Sequence, residues 1–72
     1  MEYAYTVIIE KAENNYGAWA PDLPGCISTG QTVAETVTNM REAIAFHLEG
    51  VREDGDPIPV PSTTAMVVEV AA

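Results

Sequence analysis

The sequence has very little of the residue types that most often carry catalysis or bind metals, because it contains one cysteine and one histidine. A single cysteine cannot form an internal disulfide, which is typical of reducing compartments. One residue of each type is also too few for a structural zinc site. A Cys26–His47 pair could serve as a nucleophile and its base, but no third residue is evident to orient the histidine. We interpret Cys26 as a packed side chain and His47 as a boundary residue.

Basic residues are scarce as well: three lysines and arginines face eleven acids, for a net charge of -8. Phosphate would repel such a chain, so direct nucleic-acid binding is not expected. The charge favours a basic protein as partner, or simply keeps a small domain in solution. The acids Glu10, Asp22, Glu42 and Glu69 fall on different predicted elements, so we expect no metal site. The sequence predicts no catalytic residues, no cofactor and no enzyme.

Long hydrophobic runs are also missing, since none approaches the ~20 residues that a membrane-spanning helix needs. The N-terminal run MEYAYTVIIEKA has neither the basic region nor the cleavage-like site of a signal peptide. We therefore expect a cytoplasmic protein with a single domain over residues 1–72. A domain of this size buries little apolar surface, so we also expect a homo-oligomer, a dimer or a tetramer.

The local patterns predict an α+β fold in the order β-β-β-α-β, with a small antiparallel-rich sheet and one helix packed on a face. β-branched and aromatic runs indicate the strands, and a proline-stiffened connector over residues 56–62 follows the helix. The last strand pairs either within the chain or across subunits, and the sequence does not distinguish the two. The predicted elements are strands at Tyr5–Lys11, Tyr16–Ala20, Cys26–Gly30 and Thr64–Val70, and a helix from Thr32 to about residue 54.

The predicted helix has two distinct faces. It opens with a capping box, Thr32-Val-Ala-Glu35, in which the two side chains bind the first free amides. Its apolar residues recur every three or four positions, as in a helix with one buried stripe. The stripe consists of Val33, Val37, Met40, Ile44, Leu48 and Val51, and the opposite face carries Glu35, Glu42 and Glu49 together with Phe46. The glutamates form either a hydrated surface or a docking face, and Phe46 is either exposed or covered by the connector or another subunit.

The run WAPDLPGCISTG at 19–30 combines two prolines, two glycines, an acid and the cysteine. Proline removes backbone donors and Gly25 is free of Cβ constraint, so this run predicts a stiff corner between strands. The residues Asp22, Leu23, Pro24 and Gly25 form the corner itself. We interpret it as a structural turn that could also touch a partner.

Four motifs resemble the HicB-like antitoxin family, in register and over about residues 5–70. They are DLPGC at 22–26, G-x-T-x-x-E at 30–35, REAI at 41–44 and G-x-P-I-P-x-P-S at 55–62. The resemblance implies a β-β-β-α-β fold similar to a partial ribonuclease H fold without its catalytic acids. It also implies an antitoxin, dimeric or larger, that covers the active site of a small, basic, HicA-like toxin that cleaves mRNA.

Many members of this family carry a C-terminal helix-turn-helix or ribbon-helix-helix segment, and the sequence ends at Ala72 directly after the predicted fourth strand. We therefore expect no direct DNA binding. We predict that the corner at 22–25 makes specific contacts with the toxin and that Glu35, Glu42 and Glu49 attract it. The alternatives are an orphan oligomeric interaction domain without a toxin and, less favoured, a residual nuclease.

Overall fold

A computed structural model describes residues 2–72 and contains a three-stranded sheet followed by one helix. The strands are β1 (Ile8–Lys11), β2 (Tyr16–Trp19) and β3 (Ile27–Gly30), and the helix is α1 (Val33–Glu53). The sheet is antiparallel with the order β1-β2-β3. The α+β class and the β-β-β-α order are confirmed.

The connections follow the predicted turn chemistry. The hairpin between β1 and β2 is closed by a 2.8 Å hydrogen bond from the Ala12 amide to the Asn15 carbonyl. Between β2 and β3, two consecutive turns are closed by bonds from Leu23 N to Ala20 O and from Cys26 N to Leu23 O, both 3.0 Å. Gly25 has a φ of 82°, in the left-handed region that glycine adopts without a steric cost.

Helix α1 begins with the predicted Thr32 cap, whose hydroxyl accepts the Glu35 amide at 3.0 Å. The Glu35 carboxylate reaches back to the Gln31 amide, also at 3.0 Å. The helix lies very close to β3, because a Cβ added at Gly30 would lie 2.7 Å from the backbone nitrogen of Thr36 and 2.9 Å from its Cα. Glycine at position 30 therefore permits the contact between helix and sheet.

The core is small. Its buried apolar residues come from β2, the corner and α1: Ala18, Ala20, Leu23, Cys26 and Met40. Most of the predicted helical stripe does turn inward, but Val37, Ile44, Leu48 and Val51 are only half-buried and Val33 is 48% exposed. The helix-facing side of the sheet is thus incompletely covered.

The predicted fourth strand at Thr64–Val70 is not formed within the chain. The connector is held beside the residues that precede β1: the Thr6 hydroxyl donates to the Thr63 carbonyl at 2.7 Å, and the Tyr5 hydroxyl donates to the Pro59 carbonyl. Beyond Thr63 the chain is exposed and forms no secondary structure, because a strand needs a paired neighbour. For the same reason β1 starts at Ile8 rather than Tyr5, since residues 5–7 have no partner strand in the described chain.

Candidate protein-interaction surface

The predicted corner is fastened to the connector by a carboxylate clamp. The Asp22 carboxylate accepts the amides of Ser62 and Thr63 at 3.0 and 3.1 Å, and their hydroxyls at 3.0 and 2.8 Å. These bonds, led by the one from the Ser62 amide, lower the pKa of Asp22 to about 2. The negative charge of Asp22 is therefore used inside the chain, to join segments 40 residues apart.

The other corner residues divide between interior and surface. Leu23 is fully buried in the core, whereas Pro24 and Gly25 are exposed. Leu23 therefore supports the corner from beneath, and a partner would meet Pro24 and Gly25. Cys26 is buried, as interpreted, and burial raises the pKa of its thiol.

An apolar patch lies beside the corner and was not predicted from the sequence. Trp19 pairs with Ile27 on β3 and with Ile8 on β1, and residues paired across strands project from the same face. Trp19 and Ile27 are 42% and 69% exposed. Together with Pro24, they border a shallow depression of about 430 Å³. Side chains alternate between the two faces along β2, so an inward Ala18 places Trp19 on the outer face. This alternation could have predicted the patch from the sequence.

The three predicted glutamates are all exposed on α1. Glu35 is partly engaged at the helix start through its bond to the Gln31 amide, whereas Glu42 and Glu49 lie further along the helix. Phe46 falls between those two and is 79% exposed, so the connector does not cover it. We call Glu42, Phe46 and Glu49 the outer helix face.

The described residues offer little for other kinds of site. Within residues 2–72, no group of three histidine, cysteine or acidic side chains is placed to hold a metal ion. Over the same range, no helix combines the length and the apolar character needed to cross a membrane.

The chain matches a known protein family over most of its length. Residues 5–71 match the model of a family described as "HicB_like antitoxin of bacterial toxin-antitoxin system". A protein of Haemophilus phage HP1, described as an uncharacterized 14.9 kDa protein in the rep-hol intergenic region, is 46% identical over 55 residues. The match includes 76% of this chain but only 41% of the phage protein, so the chain spans less than half of that relative.

Two solved structures have the same fold. One, described as the HicA3 and HicB3 toxin-antitoxin complex, superposes with a TM-score of 0.71 at 33% identity, over 83% of this chain and 70% of the other. The N-terminal domain of Burkholderia pseudomallei antitoxin HicB gives a TM-score of 0.70 at 35% identity, over 82% of this chain and 70% of the other. The sequence motifs, the fold and these matches agree, and the chain belongs to the HicB-like antitoxin family of bacterial toxin–antitoxin systems.

Proposed function

We propose that this protein is an antitoxin that binds a small, basic, HicA-like mRNA-cleaving toxin and covers its active site. The observation that carries the proposal is the family match over residues 5–71, supported by the likeness to a chain of the HicA3–HicB3 complex. The net charge of -8 suits a basic partner and disfavours direct DNA binding. We place this non-catalytic activity in the cytoplasm, and we propose that the protein acts as a homo-oligomer.

The specific contacts in this proposal come from the corner and its apolar patch. Interfaces draw most of their affinity from a few aromatic or arginine side chains in a desolvated centre. Trp19 is the one tryptophan of the chain, and it lies half-exposed beside Ile27 and Pro24. Asp22 and Leu23 hold this surface in place from within, through the clamp and the core.

The outer helix face and Glu35 supply long-range attraction in the same proposal. Exposed charges steer a partner of opposite sign and raise the association rate, an effect that salt screens. We expect Glu42→Lys/Glu49→Lys to slow association and to flatten its salt dependence. Glu2→Lys/Glu13→Lys changes the net charge equally away from α1 and serves as the control. If both double variants associate at the same rate, the docking-face idea is wrong.

The decisive experiment is light scattering of the purified protein, alone and mixed with a catalytically disabled HicA-like protein from the same genome. A complex of defined mass supports the proposal and gives its stoichiometry. Titration calorimetry then compares Trp19→Ala with Val33→Ala, whose parent side chain is similarly exposed at 48%. We expect about a 30-fold loss of affinity for Trp19→Ala, as for a typical hot-spot residue, and little change for the control.

The orphan-domain alternative is an outcome of the same experiment, and the nuclease alternative is tested by an RNA-cleavage assay. A protein that binds no candidate toxin is better described as an orphan interaction domain. RNA cleavage by the purified chain, lost on Glu10→Gln or Asp22→Asn, would identify it as a residual nuclease. Either result would overturn the antitoxin proposal without affecting the fold.

A further inference from the structure

The last residues of the chain form an apolar arm that pairs with no strand of the described residues. We define the C-terminal arm as residues 64–72, every one of which is exposed. Met66, Val67, Val68 and Val70 are 82%, 95%, 64% and 79% exposed. β-branched residues at this density are typical of a strand, and an apolar patch of this kind usually marks an interaction surface.

An apolar groove lies between β1, with the residues that precede it, and α1. It is lined on the sheet side by Tyr5, Val7 and Ile9, and on the helix side by Met40 and Ile44, with a volume of about 500 Å³. A second depression of about 260 Å³ continues it toward Leu48 and Ile58. The groove therefore follows the half-buried stripe of the helix.

The backbone beside this groove is also unpaired. Strand β1 pairs with β2 on one side only, and no strand of the described chain lies on its other side. Residues 5–7, which precede β1, belong to no strand pair of the described chain. An open edge next to an apolar groove is a template for one more strand.

The overall dimensions show that a single copy does not close on itself. Its accessible surface is 5620 Å², whereas a folded monomer of this mass exposes roughly 4300 Å². Its radius of gyration is 13.8 Å, against about 11 Å for a compact domain of the same length. The surplus fits an arm that projects from the domain while the groove stays empty.

Arm and groove match in length and in pattern. Residues 64–70 are as long as residues 5–11. Side chains alternate along a strand, so Met66, Val68 and Val70 share one face. Residues 5, 7 and 9 on the β1 side line the groove in the same alternation. An arm paired with the β1 edge would thus bury three apolar side chains in the groove.

We propose that the protein forms a homodimer by strand exchange, in which the C-terminal arm of each copy pairs with the β1 edge of the other. The occupant of the groove is the arm of a second copy, because the clamp holds Ser62 and Thr63 on their own domain while every residue of the arm beyond them is exposed and unpaired within the described chain. Such an exchange is two-fold symmetric and closed, which is the commonest form of homo-oligomer. It gives the homo-oligomer a specific interface and does not depend on toxin binding.

The first test is the solution mass of three proteins without any toxin. Wild type is expected at an even multiple of 7.7 kDa. Val68→Lys removes one buried valine from each of the two exchanged arms, so the dissociation constant should rise on the order of a hundredfold or more. Val60→Lys is the matched control, since Val60 lies outside the arm and is 67% exposed against 64% for Val68. A monomeric wild type, or equal dissociation constants for wild type and Val68→Lys, overturns the proposal.

The second test locates the arm. A nitroxide is attached to Val67→Cys, and this protein is unfolded and refolded together with isotopically labelled wild type. The buried Cys26, with its raised thiol pKa, should not react with the nitroxide reagent. Treating wild type alone with the same reagent verifies this. We expect paramagnetic broadening of the Ile8–Lys11 amides in the isotopically labelled copy. Broadening at Ile27–Gly30 would assign the arm to the β3 edge, and no broadening between copies would assign it to its own chain; both refute the exchange.

Discussion

Truncating Leu23 tests whether the corner depends on the core beneath it. Leu23 is fully buried, and its buried neighbours are mainly small: Ala18, Ala20 and Cys26, with Met40 from the helix. Leucine-to-alanine changes in cores cost about 2–5 kcal/mol, most where the surroundings cannot collapse into the cavity. The other buried members of the cluster are mainly small, whereas larger side chains such as Ile44 and Leu48 pack against it only half-buried, so we expect Leu23→Ala to lose about 2–5 kcal/mol of unfolding free energy.

That loss is large beside the total stability of a domain this small. A domain of this length has a total unfolding free energy of roughly 4–11 kcal/mol, so Leu23→Ala should remove a large part of it. Urea unfolding followed by Trp19 fluorescence and far-ultraviolet circular dichroism measures the change. Leu23→Met keeps the volume and should lose less than about 1.5 kcal/mol, and Val60→Ala, at an exposed position, should lose about 0.5 kcal/mol at most. A loss below about 1 kcal/mol for Leu23→Ala would contradict the packing described here.

Three further changes probe the clamp and the helix. Asp22 should titrate near pH 2 rather than 3.8, as measured by the chemical shift of its carboxyl carbon. Because the pKa of Asp22 is lower in the folded state, the contribution of the clamp to stability is complete above pH 3.8. This contribution disappears as the pH falls through about 2. A midpoint near 3.8 would mean that the clamp does not form in solution. Gly30→Ala should force the helix away from β3, because its Cβ would lie 2.7 Å from the Thr36 backbone nitrogen, and its melting temperature should fall well below that of Gly50→Ala, where no atom lies within 4 Å. Thr32→Ala removes the helix cap and should lower the unfolding free energy by about 1 kcal/mol; an unchanged value would show that the capping bond contributes nothing.

Features that depend on neighbouring residues were predictable from the sequence. The helix start rests on Thr32 and Glu35, three residues apart, and both side chains bind amides as expected, although Glu35 reaches Gln31. The turns before Cys26 follow from proline and glycine. Strand limits depend on the neighbouring strand, because a strand ends where its partner ends. Strand β1 therefore starts at Ile8, opposite the last residue of β2, and not at the predicted Tyr5.

Features that join distant segments were not predictable in the same way. Nothing near Asp22 in sequence indicates that its carboxylate will bind Ser62 and Thr63. Composition alone indicates a strand at Thr64–Val70, but pairing depends on an edge that the single chain leaves empty. The corner motif at 22–26 and the connector motif ending at Ser62 prove to be two halves of one clamp, which explains their joint presence in this sequence.

The clamp changes how a substitution at Asp22 should be interpreted in a toxin-binding assay. All four of the described hydrogen bonds to its carboxylate come from Ser62 and Thr63, so Asp22→Asn can weaken binding by loosening the corner without any lost contact to the toxin. Ser62→Ala/Thr63→Val removes the two hydroxyl donors and leaves Asp22 in place. If Asp22 acts by positioning, this double variant should weaken toxin binding in the same direction as Asp22→Asn, and the effects should be less than additive when combined. Normal binding by the double variant, with a loss in Asp22→Asn, would instead show that the two hydroxyl bonds do not position the corner for the toxin.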